Sequence, residues 1–183
     1  MPSTAPHDDV PFAVPDFGRA RRAGVPEVVL AERKTGEQIV AIARQFLEKE
    51  GRAILSRVQP EAEQALRDTF GAEADLELEW LDPPRAMVLR RKDFRVAPNG
   101  GRVGILTAGT SDIPIAEEAA LVCREAGCEV RRHYDVGVAG LHRLFRPLQS
   151  LIEEFDADVI VVVAGMDGAL PSVVSGLVDV PVV

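Results

Sequence analysis

Three short stretches of this chain crowd glycine, hydroxyl, carboxylate, imidazole and guanidinium groups into a few residues each. The first, Gly109-Thr110-Ser111-Asp112, follows an apolar run from Gly104 to Ala108 and leads into Ile113-Pro114 and an amphipathic pattern. A strand that yields to small and hydroxyl residues at a helix start leaves backbone N–H groups and the positive dipole end facing one spot, which suits a phosphate. The second stretch, Asp135 to Arg143, sets Gly137, Ala139 and Gly140 ahead of the pair His142-Arg143. Its small residues admit a ligand to the backbone while imidazole and guanidinium reach over it. The third, Ala164-Gly165-Met166-Asp167-Gly168-Ala169-Leu170-Pro171-Ser172, is again a glycine-rich loop running into a helix. Plainer roles stand beside these: Ser111 or Asp112 as a helix cap, Asp167 as the cap of the last helix, His142 as a solvated first-turn residue, Arg143 as a surface partner of Glu153 or Glu154.

The elements around these loops predict an α/β protein of two units. Residues 1–15 carry four prolines and no apolar period, a flexible leader without the basic start and apolar core of a signal peptide. Residues 16–96 form a small α/β unit. Glu27 to Leu30 reads as a strand; Thr35 and Gln38 make a capping box for a helix with Ile39, Ile42, Ala43, Phe46 and Leu47 on one face, stopped by Gly51. Ala53 to Ser56 is a strand, Pro60 opens a helix ending at Gly71, and Leu76, Leu78 and Trp80 alternate with glutamates in a strand that can pair with Met87 to Arg90. Residues 97–101, Ala-Pro-Asn-Gly-Gly, are a linker.

Residues 102–183 then alternate buried strands (Val103 to Thr107, Glu129 to Tyr134, Val159 to Val163) with helices (Ile115 to Ala126, Leu141 to Phe155). That pattern makes a doubly wound parallel sheet with helices on both faces, whose ligand loops lie at the carboxyl ends of the strands. The three loops therefore share one rim. Val180 to Val183 has the look of a fourth strand left as an apolar edge, which suggests an incomplete domain or a partner copy over that edge.

Composition narrows the partners. A chain of 183 residues with 46% apolar and 27% charged residues can bury a sizeable core. Its net charge of -8 argues against a nucleic-acid backbone as partner, and no apolar run is long enough for a membrane helix. Cys123 and Cys128 are too few and wrongly spaced for a zinc site, read as buried structural thiols, and fit a reducing cytoplasm.

The stretches Gly109-Thr110-Ser111-Asp112, Ala139-Gly140-Leu141-His142-Arg143 and Ala164 to Val174, with the earlier Gly24-Val25-Pro26-Glu27-Val28-Val29, resemble the signature of the pyridinium-3,5-biscarboxylic acid mononucleotide synthases. These make the nickel-pincer nucleotide cofactor, and their catalytic half is similar to the class I aminoimidazole ribonucleotide carboxylases, flavodoxin-like three-layer proteins. The resemblance implies carboxylation of the pyridinium ring of nicotinic acid adenine dinucleotide by carbon dioxide or bicarbonate. Hydrolysis of the phosphoanhydride then releases AMP. It implies nucleotide binding by Gly109, Thr110, Ser111, Asp112, Gly140, Arg143, Gly165, Met166, Gly168 and Leu170, with Asp167 and His142 as catalytic residues. Asp167 stands where members often carry Glu, at a position for ring deprotonation or carbon dioxide placement, and Gly109 stands where the carboxylases carry a serine.

The family's attacking cysteine lies beyond residue 183 and matches neither Cys123 nor Cys128, so the 183-residue chain by itself is expected to be inactive. No tightly bound cofactor and no protein metal site are expected, nickel included; a magnesium ion suits the pyrophosphate. Octameric relatives imply a homo-oligomer. The alternatives are a purine-pathway aminoimidazole ribonucleotide carboxylase or mutase, against which stand Ala169 in the place of that family's catalytic histidine and the added N-terminal unit, and a non-catalytic nucleotide-binding fragment.

Overall fold

The computed structural model of the protein describes residues 13–183. Most of the expected leader thus lies outside the described residues, while Ala13 packs against the first core. A helix that the sequence pattern did not announce comes first: α1 (Arg19–Ala23) has no buried residue and no side-chain cap, so no periodicity betrays it. It is tied down from outside, by an ion pair from Arg22 to Asp16 and by Phe17 set edge-on against Phe46, 5.2 Å between ring centres.

The first sheet contains β1 (Val29–Leu30), β2 (Arg52–Ser56), β3 (Leu76–Leu81) and β4 (Ala86–Arg91) in the order β1-β2-β4-β3, with β1 parallel to β2 and the other pairs antiparallel. One face carries α2 (Gly36–Glu50) and α3 (Pro60–Phe70). α2 begins as its sequence predicts: the Gln38 N–H donates to Thr35 Oγ1 at 3.2 Å and the Thr35 N–H to Gln38 Oε1 at 3.1 Å. Its stripe of Ile39, Ile42, Ala43, Phe46 and Leu47 is buried, each large side chain contributing about 1.5–3 kcal/mol. Ala53, Leu55, Met87 and Leu89 meet it from the sheet.

The opposite face of this sheet is also apolar, and a helix of the second unit covers it. Ile54, Ala86 and Val88 pack on Leu121 of α4 (Ile113–Glu125). Polar groups reinforce the contact: Ser56 Oγ donates to Glu118 at 2.5 Å, and the carboxylate of Glu125, 2% exposed, is gripped by Arg52 at 2.9 Å and Arg90 at 2.5 Å. A carboxylate so deep in the protein is tolerable because two guanidinium groups replace its water.

The second sheet is parallel, in the order β6-β5-β7, with β5 (Arg102–Thr107), β6 (Glu129–His133) and β7 (Val159–Val163). Ala116 and Ala120 of α4 cover Val103 and Ile105 on one face. On the other face α5 (His142–Gln149) and α6 (Ala169–Ser175) bury Leu106, Ile160 and Val162 under Leu144, Leu148, Leu170 and Val174. These are the three layers expected. Residues 181–183 run parallel beside β7, with the Ile160 N–H donating to the Pro181 carbonyl at 2.9 Å and the Val162 N–H to Val183 at 2.8 Å, but a single bridge pairs Val182 with Ile160. The expected fourth strand is therefore a bridge rather than a full strand.

The helix expected over Leu141 to Phe155 is divided. Val138–Gly140 form a 3₁₀ turn, α5 follows, and Ser150–Glu154 widen into a π turn. Pro147 inside α5 has no N–H for the carbonyl four residues back, which breaks the regular ladder. The widened turn carries Leu151 onto β5, where a side chain on Gly104 would lie only 2.9 Å from it. Among the described residues no helix is long and apolar enough to cross a membrane.

The buried Glu125 gives a direct test of how the two sheets are joined. Glu125→Ala strands two half-buried arginines and should lower the unfolding free energy in urea by about 3 kcal/mol; a loss below about 1 kcal/mol would mean that the cluster is solvated.

Candidate functional site

β5, β6 and β7 end on the same side, and the loops that follow them enclose a cleft of about 490 Å³. Roughly 300–1,000 Å³ is the range of small-ligand sites, and an open parallel sheet places them where its strand order reverses, here beside the central β5. Of fifteen lining residues eight are glycine or alanine, so a ligand meets backbone on most sides. The polar side chains are Ser111, Asp112, Arg143 and Asp167, and among the described residues Arg143 is the one cation in the lining.

The first loop is a 3₁₀ turn, Thr110–Asp112, at the head of α4. Asp112 Oδ2 accepts the Gly109 N–H at 2.8 Å, so this amide is spoken for and does not face a ligand. By 3₁₀ geometry the amides of Thr110 and Ser111 have no acceptor within their own turn. Asp112 also stands beside the third loop: a Cβ placed on Gly165 would lie 3.4 Å from Asp112 Oδ1. One carboxylate oxygen of Asp112 thus holds its own turn together, and the other lies next to the third loop.

The second loop is pinned to β5. The Val136 N–H donates to the Thr107 carbonyl at 2.9 Å and the Asp135 N–H to Thr107 Oγ1 at 3.0 Å, Thr107 being fully buried. Gly137 comes so near Ala108 that a Cβ there would stand 2.6 Å from its carbonyl oxygen, backbone that cannot swing aside. Arg143 turns inward to line the cleft and pairs with Asp135 at 2.8 Å. Its expected surface partners are engaged elsewhere, Glu154 with Arg131 at 3.4 Å and Glu153 with Gln149 at 2.7 Å. In the third loop Gly168, in the left-handed region at φ 58°, is the N-cap of α6, and no side chain makes a capping bond. Asp167 therefore does not cap that helix; it is exposed and lines the cleft.

Of the residues singled out from sequence, the cleft brings together Gly109, Ser111, Asp112, Arg143, Gly165, Met166, Asp167, Gly168 and Leu170. Thr110, Gly140 and His142 fall outside its lining, and His142 is exposed at the first turn of α5. Thr107 and Asp135 carried no sequence signal beyond a strand-end hydroxyl and a carboxylate eight residues before an arginine. Cys123 and Cys128 lie near the carboxyl end of α4 and just before β6, at the opposite ends of the strands from the cleft. Burial, with Cys128 close by, pushes the Cys123 thiol above its ordinary value, away from thiolate character.

Two groups at the end of β6 are perturbed. Burial pushes His133 below the usual imidazole value, helped by Arg131 and opposed by Glu154, and its Nε2 is buried without a partner. Tyr134 is pushed up to about 12 by burial and by donating to the Glu117 carboxylate.

A nucleotide-sized cleft at the carboxyl ends of a flavodoxin-ordered parallel sheet defines an α/β domain of the AIR carboxylase type, and residues 102–183 match the AIR carboxylase family. Residues 7–89 match the LarB/PurE-like N-terminal domain. The two matches together are consistent with a LarB-like protein that carries an AIR carboxylase-like half. It is 41% identical over 170 residues to an uncharacterised protein of Methanocaldococcus jannaschii, covering 92% of this chain and 65% of that protein. Over 79 residues it is 34% identical to an N5-carboxyaminoimidazole ribonucleotide mutase of the same organism, covering 43% of this chain and 48% of that one. The chain thus spans between about half and two thirds of the length of these relatives.

Tyr134 is the only tyrosine, so absorbance at 295 nm follows it without interference. It should titrate near pH 12 rather than 10, and Glu117→Gln should bring the midpoint part of the way down. Since the folded state holds this proton more tightly, its stabilising contribution is intact below pH 10 and fades as pH climbs toward 12. A midpoint at 10 in the folded protein would show the hydroxyl to be free in solvent.

Proposed function

We propose that the cleft binds nicotinic acid adenine dinucleotide and that the protein takes part in carboxylating its pyridinium ring, with cleavage of the phosphoanhydride to release AMP. The observation that carries this proposal is the third loop: it offers a carboxylate, Asp167, to the same cleft that Arg143 enters, and Ala169 lines it where the AIR carboxylases that this chain resembles hold a catalytic histidine. That substitution also sets the reading apart from a purine-pathway carboxylase, despite the likeness to the mutase.

The chemistry explains the arrangement. A pyridinium ring is electron-poor and does not attack carbon dioxide; a thiolate must first add to a ring carbon, turning the ring into an electron-rich dihydropyridine. The nucleophilic ring carbon then bonds to carbon dioxide, a base takes the proton from that carbon, and the thiolate departs to restore the aromatic ring. Asp167 is assigned to the proton transfer or to orienting carbon dioxide. The thiolate step is assigned to neither cysteine of this chain, since both lie at the far end of the sheet. Arg143 and the amides of the first loop are assigned to the phosphates. A magnesium ion would suit the charge of the pyrophosphate.

Incubating the intact protein with the dinucleotide, labelled bicarbonate and magnesium should yield AMP and a labelled pyridine mononucleotide; no label there, with label entering aminoimidazole ribonucleotide supplied in a parallel reaction, would favour the purine reaction. Ser111→Ala should weaken dinucleotide binding about tenfold by calorimetry, the value of one lost polar contact. Asp167→Asn should cut label incorporation by about 100-fold or more while affinity stays within a few-fold. An Asp167→Asn enzyme that carboxylates at the parent rate would remove Asp167 from the mechanism.

A further inference from the structure

The pair Asp135–Arg143 contributes little to stability, because both side chains are about half exposed and water screens their attraction. Its geometry is nevertheless specific. Asp135 sits at φ 57°, in the left-handed region that few residues other than glycine, asparagine and aspartate enter. Its N–H is fixed to the buried Thr107 hydroxyl, which indexes the residue to the end of β5, the strand that also carries the first loop. From there the carboxylate meets Arg143 Nη1 at 2.8 Å. On its other side the guanidinium rests against the bare Cα of Gly140, where a Cβ would come within 2.7 Å of Nε. Asp135 itself is not part of the cleft lining, whereas Arg143 is its one cation among the described residues.

Resting on the reading of the cleft as a nucleotide site, we propose that Asp135 is a positioning residue that holds the Arg143 guanidinium at the cleft mouth for the phosphates of the ligand. A long arginine left free must surrender its rotamers when an anion binds; one already clamped between a carboxylate and a glycine has lost them beforehand. The proposal has a sign that separates it from plain electrostatics. A carboxylate beside an anion site repels the ligand, so removing its charge alone should tighten binding. Removing a positioning group should weaken it.

Asp135→Asn is the discriminating change, because asparagine tolerates the left-handed backbone and has nearly the same shape. Calorimetry with nicotinic acid adenine dinucleotide, and separately with inorganic pyrophosphate, would compare the parent, Asp135→Asn, Arg143→Ala and the double variant, with thermal melting as a check on folding. The expected result is an unchanged melting temperature, affinity for both probes reduced about three- to tenfold by Asp135→Asn, and no further loss when Arg143 is already alanine. Gly140→Ala should reproduce the loss by pushing the guanidinium aside. Tighter or unchanged binding in Asp135→Asn overturns the proposal, as does an equal loss with and without Arg143. Failure of the cleft reading looks different: the parent binds neither probe, or Arg143→Ala leaves both affinities untouched. In that event the Arg143 Nη1–H resonances decide the clamp, expected to be resolved and slowly exchanging in the parent and averaged away in Asp135→Asn; identical resonances in both would overturn it.

Discussion

Helix α4 has to satisfy two sheets at once. Its alanines, Ala116 and Ala120, lie flat on Val103 and Ile105 of the parallel sheet, while Leu121 fills the apolar face of the first sheet one side-chain layer away. Glu125 at its last turn is locked between Arg52 and Arg90. A helix held on both flanks and charge-paired at its end has little freedom to slide, and its other end carries Ser111 and Asp112 into the cleft. The N-terminal unit therefore does more than accompany the parallel sheet: its own sheet is one of the two surfaces that set where the Thr110–Asp112 loop stands. Burial of an ionised carboxylate is a poor source of net stability, yet it is very sensitive to register, because any shift of the helix by a residue would strand the charge.

The cleft repeats that logic on a smaller scale. Its three loops are not independent decorations at strand ends. Asp112 ties the first loop to itself through Gly109 and reaches toward Gly165 of the third; Thr107 ties the second to β5 through Asp135; Gly137 is small because the Ala108 carbonyl lies against it. The result is a cavity whose walls are chiefly backbone and whose polar side chains are few and held. Such a site suits a ligand with a flat ring and a charged diphosphate, which backbone amides and a single guanidinium can read at close range.

Much of this was legible in the sequence where one-dimensional periodicity maps onto burial. The capping box at Thr35 and Gln38, the apolar stripe of α2, the buried β5 and the glycine-rich loops appear where their patterns put them, whereas β6, read as a buried strand, stands at the sheet edge with no buried residue. The failures share a cause, which is that the deciding contact follows no period in the sequence, whether its partner is near along the chain or far. α1 has no apolar period and depends on Asp16 and Phe46. Glu125 reads as an ordinary charged residue at a helix end until Arg52 and Arg90 arrive from the other unit. Pro147 lies inside the stripe read as one helix, and the π turn that follows it sets Leu151 over Gly104. Asp112 was legible as a chemical group and not as the acceptor of the Gly109 N–H, and the partner of Arg143 was sought downstream on its own helix when it lies upstream at the strand end.

The central claim is that the loops after β5, β6 and β7 form one nucleotide site. Amide chemical-shift mapping of the ¹⁵N-labelled protein during titration with nicotinic acid adenine dinucleotide reads this directly, loop by loop. Saturable shifts confined to Gly109–Asp112, Gly137–Arg143 and Gly165–Leu170, all fitting one dissociation constant, are the predicted result. Shifts gathered instead around Glu79, Arg90 and Glu125 between the two units, or three loops that respond with different affinities, would contradict it.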